Sequence, residues 1–352
     1  MAADFLPHQA ALVAWAYAKA GHDAPALLDA LARQLPQWVG SDEARDTLPI
    51  WAWAYATAQH AAPQVFATLA TALVREADAR RLSPSDIANV AWAYAVAGEP
   101  RTDVFASLAA AATASLEAFD TRQLAKMAWA FAAVEYVAPE AFVGALVERC
   151  EATAWCLDRD LDDLRQLHQW QLWGLEQQLL ARRPADSQAT TGGSLGPPPF
   201  SPALSALCRA AFAQGASADG VAVPGGARVT SFQLQVTNTL ARMQVRPVAE
   251  VTGESGYSFD VLVEWQGETV AVEVDGPHHF LLPSRTPTAA TRLKRRQARR
   301  LGSRLCSIPF WEWNQCPREP QRVELLRAAL DRSVLLPAGR NPSPDWPWAP
   351  AR

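Results

Sequence analysis

Apolar positions in the first half of the chain recur with a helical period, and the recurrence repeats. Four copies of one pattern stand out: Ala14-Trp15-Ala16-Tyr17-Ala18, Ala52-Trp53-Ala54-Tyr55-Ala56, Ala91-Trp92-Ala93-Tyr94-Ala95 and Ala128-Trp129-Ala130-Phe131-Ala132. The tryptophans lie 38, 39 and 37 residues apart (53 − 15, 92 − 53, 129 − 92). Five and two residues before each of the last three tryptophans stand Leu48 and Trp51, Ile87 and Val90, Leu124 and Met127. Those offsets share one side of a helix. Ser83-Pro84-Ser85-Asp86 is a helix start, and Gly98 is a stop. Between copies runs a second amphipathic segment, such as Val65–Val74. Neither helix can bury its apolar face alone, so the two-helix units are expected to stack as an α-solenoid of period about 38 over residues 8–178. Leu164, Leu167, Trp170 and Trp173 sit near the phase of a degenerate fifth unit. The aromatic residues are expected to pack between units, with base stacking as the alternative. The intervening alanines are expected to permit close helix approach.

From residue 183 the periodicity stops. Residues 183–202, with Gly192-Gly193-Ser194 and Pro197-Pro198-Pro199, read as a flexible linker. Residues 203–245 read as a helical connector, with helices near 202–213 and 229–243 around a Gly-rich break at 215–227. From Tyr257 the period becomes two, opening a small α/β domain over 257–331. Phe259, Val261, Val263 and Trp265 alternate with Ser258, Asp260, Leu262 and Glu264. Gln266-Gly267 is a two-residue turn, followed by a strand over Glu268–Asp275. Paired positions then sum to 533, placing Asp260 opposite Glu273 and Asp275 one diagonal step away. The three carboxylates are expected on one face, and the valines and aromatics on the other. Like charges set across a strand pair destabilise it. A divalent cation, a nearby Arg or Lys, or protonation of one carboxyl group must compensate.

A helix over Thr291–Arg304 follows, carrying Arg292, Lys294, Arg295, Arg296, Arg299, Arg300 and Arg304 and no acid. Phosphate contact is the expectation for this run, and a face that neutralises the carboxylates is the alternative. A strand over Leu305–Phe310 leads to Trp311-Glu312-Trp313-Asn314. On an extended chain Trp311 and Trp313 share a face, and they are expected to pack a last helix near 318–331. His278 and His279 are expected to serve the turn after Asp275, with metal ligation as the alternative. Residues 332–352 read as a disordered Pro/Trp tail.

Charge sharpens this division. The net charge is −4, with −8 over residues 1–183 (14 basic, 22 acidic) and +4 over 184–352 (18 basic, 14 acidic). Polyanion contacts should therefore centre on the second half. The five cysteines have neither zinc nor disulfide-framework spacing, which suits a reducing compartment. No apolar run is long enough to span a membrane. Asp4 comes early and no arginine precedes Arg33, so a transit peptide is not evident. The expectation is a protein that is not imported, or a fragment of a longer chain.

Over residues 8–178, the 38-residue period with its aromatic signature resembles the octotricopeptide repeat of organellar RNA-binding proteins. Over about 257–316, four motifs together resemble the RAP domain: Phe259-Asp260-Val261, Val272-Glu273-Val274-Asp275-Gly276-Pro277-His278-His279-Phe280, Leu293-Lys294-Arg295-Arg296 and Ile308-Pro309-Phe310-Trp311-Glu312-Trp313. These resemblances imply a restriction-endonuclease-like core, binding of single-stranded organellar RNA, a mitochondrial or chloroplast location, and work beside other RNA-processing proteins. They imply no cofactor for binding. Mg²⁺ enters only if the domain is a nuclease, held by Asp260 and Glu273. Two residues after Glu273 the nuclease pattern wants Lys where this chain has Asp275, and Lys294 is the candidate substitute. A binding-only, degenerate site is the expectation. A metal-dependent endoribonuclease using Asp260, Glu273, Asp275 and Lys294 is one alternative, and a protein-interaction scaffold is another.

Overall fold

The repeated pattern becomes paired helices, and the first helices of the third and fourth copies are capped and punctuated locally. The computed structural model describes residues 5–157, 161–181, 200–214, 230–281 and 283–335. Eight helices lead the chain: α1 (Pro7–Lys19), α2 (Pro25–Trp38), α3 (Leu48–Thr57), α4 (Pro63–Asp78), α5 (Pro84–Ala97), α6 (Thr102–Thr113), α7 (Thr121–Val134) and α8 (Glu140–Leu157). Ser83 caps α5 through a hydrogen bond from the Asp86 amide, Pro84 opens it, and Gly98 closes it at φ 77°. Asp120 and Gln123 form the matching capping box of α7.

The described residues divide into two compact units. In the first, α1, α3, α5 and α7 pack side by side in series, and α2, α4, α6 and α8 form a second series. The motif alanines make this spacing possible: Ala52, Ala54, Ala91, Ala93, Ala95, Ala128, Ala130 and Ala132 have no exposed surface. The tyrosines lock successive units. Tyr55 donates its hydroxyl to the Leu28 carbonyl at 2.6 Å, and Tyr94 donates to that of Phe66 at 2.7 Å. Each bond joins a first helix to the preceding unit's second helix, and burial pushes both phenols up. Phe131 fills the same position by packing alone. Helix α9 (Leu161–Ala181) follows, with Leu164, Leu167, Trp170 and Trp173 buried. The Trp129 indole donates to Gln169 on α9 at 2.9 Å. The tryptophans of the first three copies behave differently from the tyrosines, for Trp15, Trp53 and Trp92 are only half-buried. Trp15 and Trp53 lie ring to ring at 6.3 Å.

The second unit is an α/β layer structure. Its elements include α10 (Pro202–Gln214), α11 (Ser231–Arg242), β1 (Val248–Thr252), β2 (Ser258–Trp265) and β3 (Glu268–Asp275). After the short strands β4 (Phe280–Leu281) and β5 (Thr286–Pro287) come α12 (Ala289–Arg300), β6 (Arg304–Pro309), α13 (Phe310–Asn314) and α14 (Glu319–Leu335). The sheet order is β1-β2-β3-β6. β1, β2 and β3 are antiparallel neighbours, whereas β6 runs parallel to β3. One face buries Val261, Val263, Val270, Val272 and Val274 against α11 and α14, with Trp313 in the same cluster. The other gathers Tyr257, Phe259, Ala271 and Leu305 with Ala298 of α12 and Phe212 of α10.

The hairpin register is the one the turn dictates. Gln266 and Gly267 both have positive φ, 52° and 80°, which matches the right-handed twist of the flanking strands. Every pair from Val261↔Val272 to Trp265↔Glu268 sums to 533. Several expectations need correction. Phe259 does not join the valines, because the alternation breaks at Asp260, beside Glu250 with its φ of 53°. The basic helix ends at Arg300 rather than Arg304, since Gly302 turns the chain at φ 103° and Arg304 begins β6. Residues 310–314 are helical rather than extended, which sends Trp311 and Trp313 apart: Trp313 enters the core, and Trp311 meets Phe280 at 4.3 Å. The sequence reading omitted β1, whose residues are mostly exposed. Helix α14 runs to Leu335, into the stretch read as tail. The linker before Phe200, the 215–227 break and the tail after Leu335 lie outside the described residues.

Candidate functional site: the acidic hairpin and the basic helix

Asp260, Glu273, Asp275 and Lys294 come together in the second unit, but not as an open site. Glu273 and Asp275 are 2% and 1% exposed, and Asp260 is half-buried. The β2–β3 ladder ends at Val261↔Val272, and beyond it the Asp260 carboxylate accepts the Val274 amide at 2.7 Å. A side chain here replaces a main-chain acceptor. The Lys294 ammonium donates to Glu273 Oε2 at 2.7 Å and lies 5.6 Å from the Phe259 ring centre. The Arg295 guanidinium donates to Asp275 Oδ2 at 2.6 Å and to Ser307 Oγ at 2.8 Å. Ser307 in turn donates its hydroxyl to Asp275. His279 stands 3.3 Å from the other Asp275 oxygen, so this histidine supports the turn's acid, and His278 is exposed.

The charges nearly balance. Three carboxylates face Lys294 and Arg295 directly, with Arg299 and His279 acting on the same acids. Burial pushes Glu273 up to about 8 despite Lys294, and pushes Asp260 up as well. Asp275 suffers the same desolvation, yet Arg295, His279 and Ser307 hold it below its ordinary value. Of the three compensations that the facing acids allow, internal cations are the one in place, and the upward push on Glu273 favours its protonated form.

The expectation that the basic helix faces phosphate meets a different geometry. Lys294, Arg295 and Arg296 are 2%, 8% and 8% exposed. Arg296 and Arg300 both reach Glu176 Oε2 on α9, at 3.1 and 2.7 Å. Arg299 donates to the Leu305 carbonyl at 3.4 Å, and burial lowers it to about 10. Arg292 is half-buried. The physical reason is desolvation: a carboxylate as buried as Glu176, at 0% exposure, must have cations beside it. Glu176, Ser307 and Gln297, which accepts from the Tyr257 hydroxyl at 2.8 Å, are the members that sequence reasoning missed. The available signal was an acid embedded among the apolar residues Leu172, Trp173, Leu175, Leu179 and Leu180. Exposed cations of this unit stand elsewhere, at Arg246, Arg318 and Arg327.

The metal assignment to Asp260 and Glu273 fits this geometry poorly. Glu273 Oε1 has no hydrogen-bond partner, which leaves one open ligand atom. Mg²⁺ keeps several waters, and a carboxylate as buried as Glu273 is closed off from them. Among the described residues no group of three or more His, Cys, Asp or Glu side chains is arranged to hold a metal. No described helix is long and apolar enough to cross a membrane.

Part of the chain resembles known proteins. A chloroplastic RAP domain-containing protein of Oryza sativa subsp. japonica is 36% identical over 102 residues, which is 29% of this chain and 15% of that protein. The chain thus matches a small part of its relative's length. Residues 272–329 match the RAP domain family, a stretch holding Glu273, Asp275, Lys294, Arg295 and Ser307 and starting after Asp260. The chain therefore carries a C-terminal RAP domain, preceded in sequence by a region of paired helices.

Proposed function

We propose that this protein binds single-stranded RNA in an organelle and acts in processing, stability or translation of a transcript. The observation that carries the reading is the RAP domain at residues 272–329, joined to helix pairs in which each unit packs on the next. The chloroplastic relative supports the organellar setting. On this reading the units are octotricopeptide-like, and the spacing of 37 to 39 residues supports that. The second unit has a restriction-endonuclease-like core, which is supported by its order of helix, three-strand meander, helix and parallel strand. Other RNA-processing proteins are the expected partners. The buried Lys294 and Arg295 pair inside the RAP domain, Arg296 pairs with Glu176 of α9, and backbone affinity comes from exposed cations such as Arg246, Arg318 and Arg327.

Fluorescence anisotropy of labelled single-stranded RNA, titrated with the full chain at several salt concentrations, tests this reading. Affinity should fall linearly on a log–log plot against salt, and reversing Arg246, Arg318 and Arg327 to Glu should flatten the slope. Absence of retained RNA at low salt overturns the reading. The nuclease alternative is not adopted, because Lys294 already pairs with Glu273 and the Asp260 carboxylate is engaged by the Val274 amide.

A further inference from the structure

Three carboxylates on neighbouring strands are the usual material of a divalent-cation site, yet here each acidic strand end is answered from a helix. We propose that Lys294 and Arg295 are built-in cations standing where a divalent ion would otherwise be required, so that the acidic cluster works without metal and becomes a divalent-cation site only when Lys294 is lost. This inference rests on the geometry of the second unit and not on RNA binding.

Position argues first. Lys294 Nζ lies 2.7 Å from Glu273, and its charge also acts on Asp260 just beyond the end of the hairpin ladder, so one ammonium serves an acid on each strand. Arg295 and Ser307 together satisfy one oxygen of Asp275, and His279 approaches the other. Residue type argues second. Helix α12 carries five arginines and a single lysine, in a chain with only three lysines, and that lysine stands at the acidic pair. A guanidinium is a planar fork suited to one carboxylate, whereas an ammonium is a compact point charge and the nearest side-chain substitute for an ion. Room argues third. Both Lys294 and Glu273 are 2% exposed, and an ion bound to Glu273 Oε2 would have to displace the ammonium that already holds it. Removing that ammonium takes away the one cation bonded to Glu273, while Arg295 and His279 stay committed to Asp275.

Thermal unfolding of the full chain, with EDTA and with millimolar Mg²⁺ or Mn²⁺, tests the proposal. The wild type should melt at the same temperature in all conditions, and Mn²⁺ titration calorimetry should show no saturable heat. Lys294→Met should melt lower in EDTA and recover with Mn²⁺, its melting point rising with the logarithm of ion concentration. The double variant Glu273→Gln/Lys294→Met should fold without responding to Mn²⁺. If Lys294→Met does not accumulate in soluble form, refolding from urea should succeed with Mn²⁺ and fail with EDTA. The proposal is overturned if the wild type gains stability from Mn²⁺ through Asp260 and Glu273. It is equally overturned if Lys294→Met folds or refolds with no dependence on the ion.

Discussion

Stability of the RAP domain should fall as pH rises from about 5 to about 8, and Glu273→Gln should remove most of that fall. The native carboxyl group of Glu273 is pushed up to about 8 by burial, against an ordinary value of 4.5. Its folded state therefore holds a proton that the unfolded chain releases. Stability from this group is fully present below the unfolded value and is lost as pH climbs through the folded one. The gap of 8 − 4.5 units, at about 1.4 kcal/mol per unit, sets an upper bound of about 5 kcal/mol. Asp260 is raised too and adds to the same trend, whereas Asp275 is lowered and acts only below its ordinary value of 3.8. Glutamine keeps the shape and an oxygen acceptor for Lys294 but cannot titrate. Because the chain has two units, a single melting curve mixes them. Hydrogen exchange of the β3 and β6 amides, corrected for the intrinsic rate at each pH, isolates the relevant one. A wild-type domain equally stable at pH 5 and 8, or a Glu273→Gln variant with the parental slope, would refute the argument.

Two further outcomes follow from the packing. Tyr94→Phe should cost about 0.5–1.5 kcal/mol, because the Phe66 carbonyl keeps its helical partner but loses the buried Tyr94 hydroxyl; urea unfolding of the helical unit reads this, and an unchanged midpoint removes the tyrosine lock. Glu176→Ala should cost about 1.5–3 kcal/mol, since Arg296 and Arg300 lose their shared acceptor. Thermal melting measures that loss, and restoration by adding Arg296→Met and Arg300→Met would assign it to the lost ion pairs rather than to a cavity.

Local periodicity made much of this protein legible. The offsets around each Ala-Trp-Ala motif, the Ser83 cap and the Gly98 stop determined helices, because capping and apolar spacing act within a turn or two. Gln266-Gly267 determined the hairpin register for the same reason: a two-residue turn leaves one pairing, and its sum of 533 holds along the ladder. The proximity of Asp260, Glu273 and Asp275 followed from that register. What those acids meet was decided elsewhere. Seven cations without an acid over 291–304 look like a surface for polyanions until Glu176, some 120 residues earlier, is found between two of them. Trp311 and Trp313 looked alike in sequence, and the one-turn helix α13 gave one to the core and the other to Phe280. Spacing reports which side of its own element a residue occupies. Whether that side faces water or a buried charge depends on chain segments distant in sequence, and only the tertiary structure brings them together.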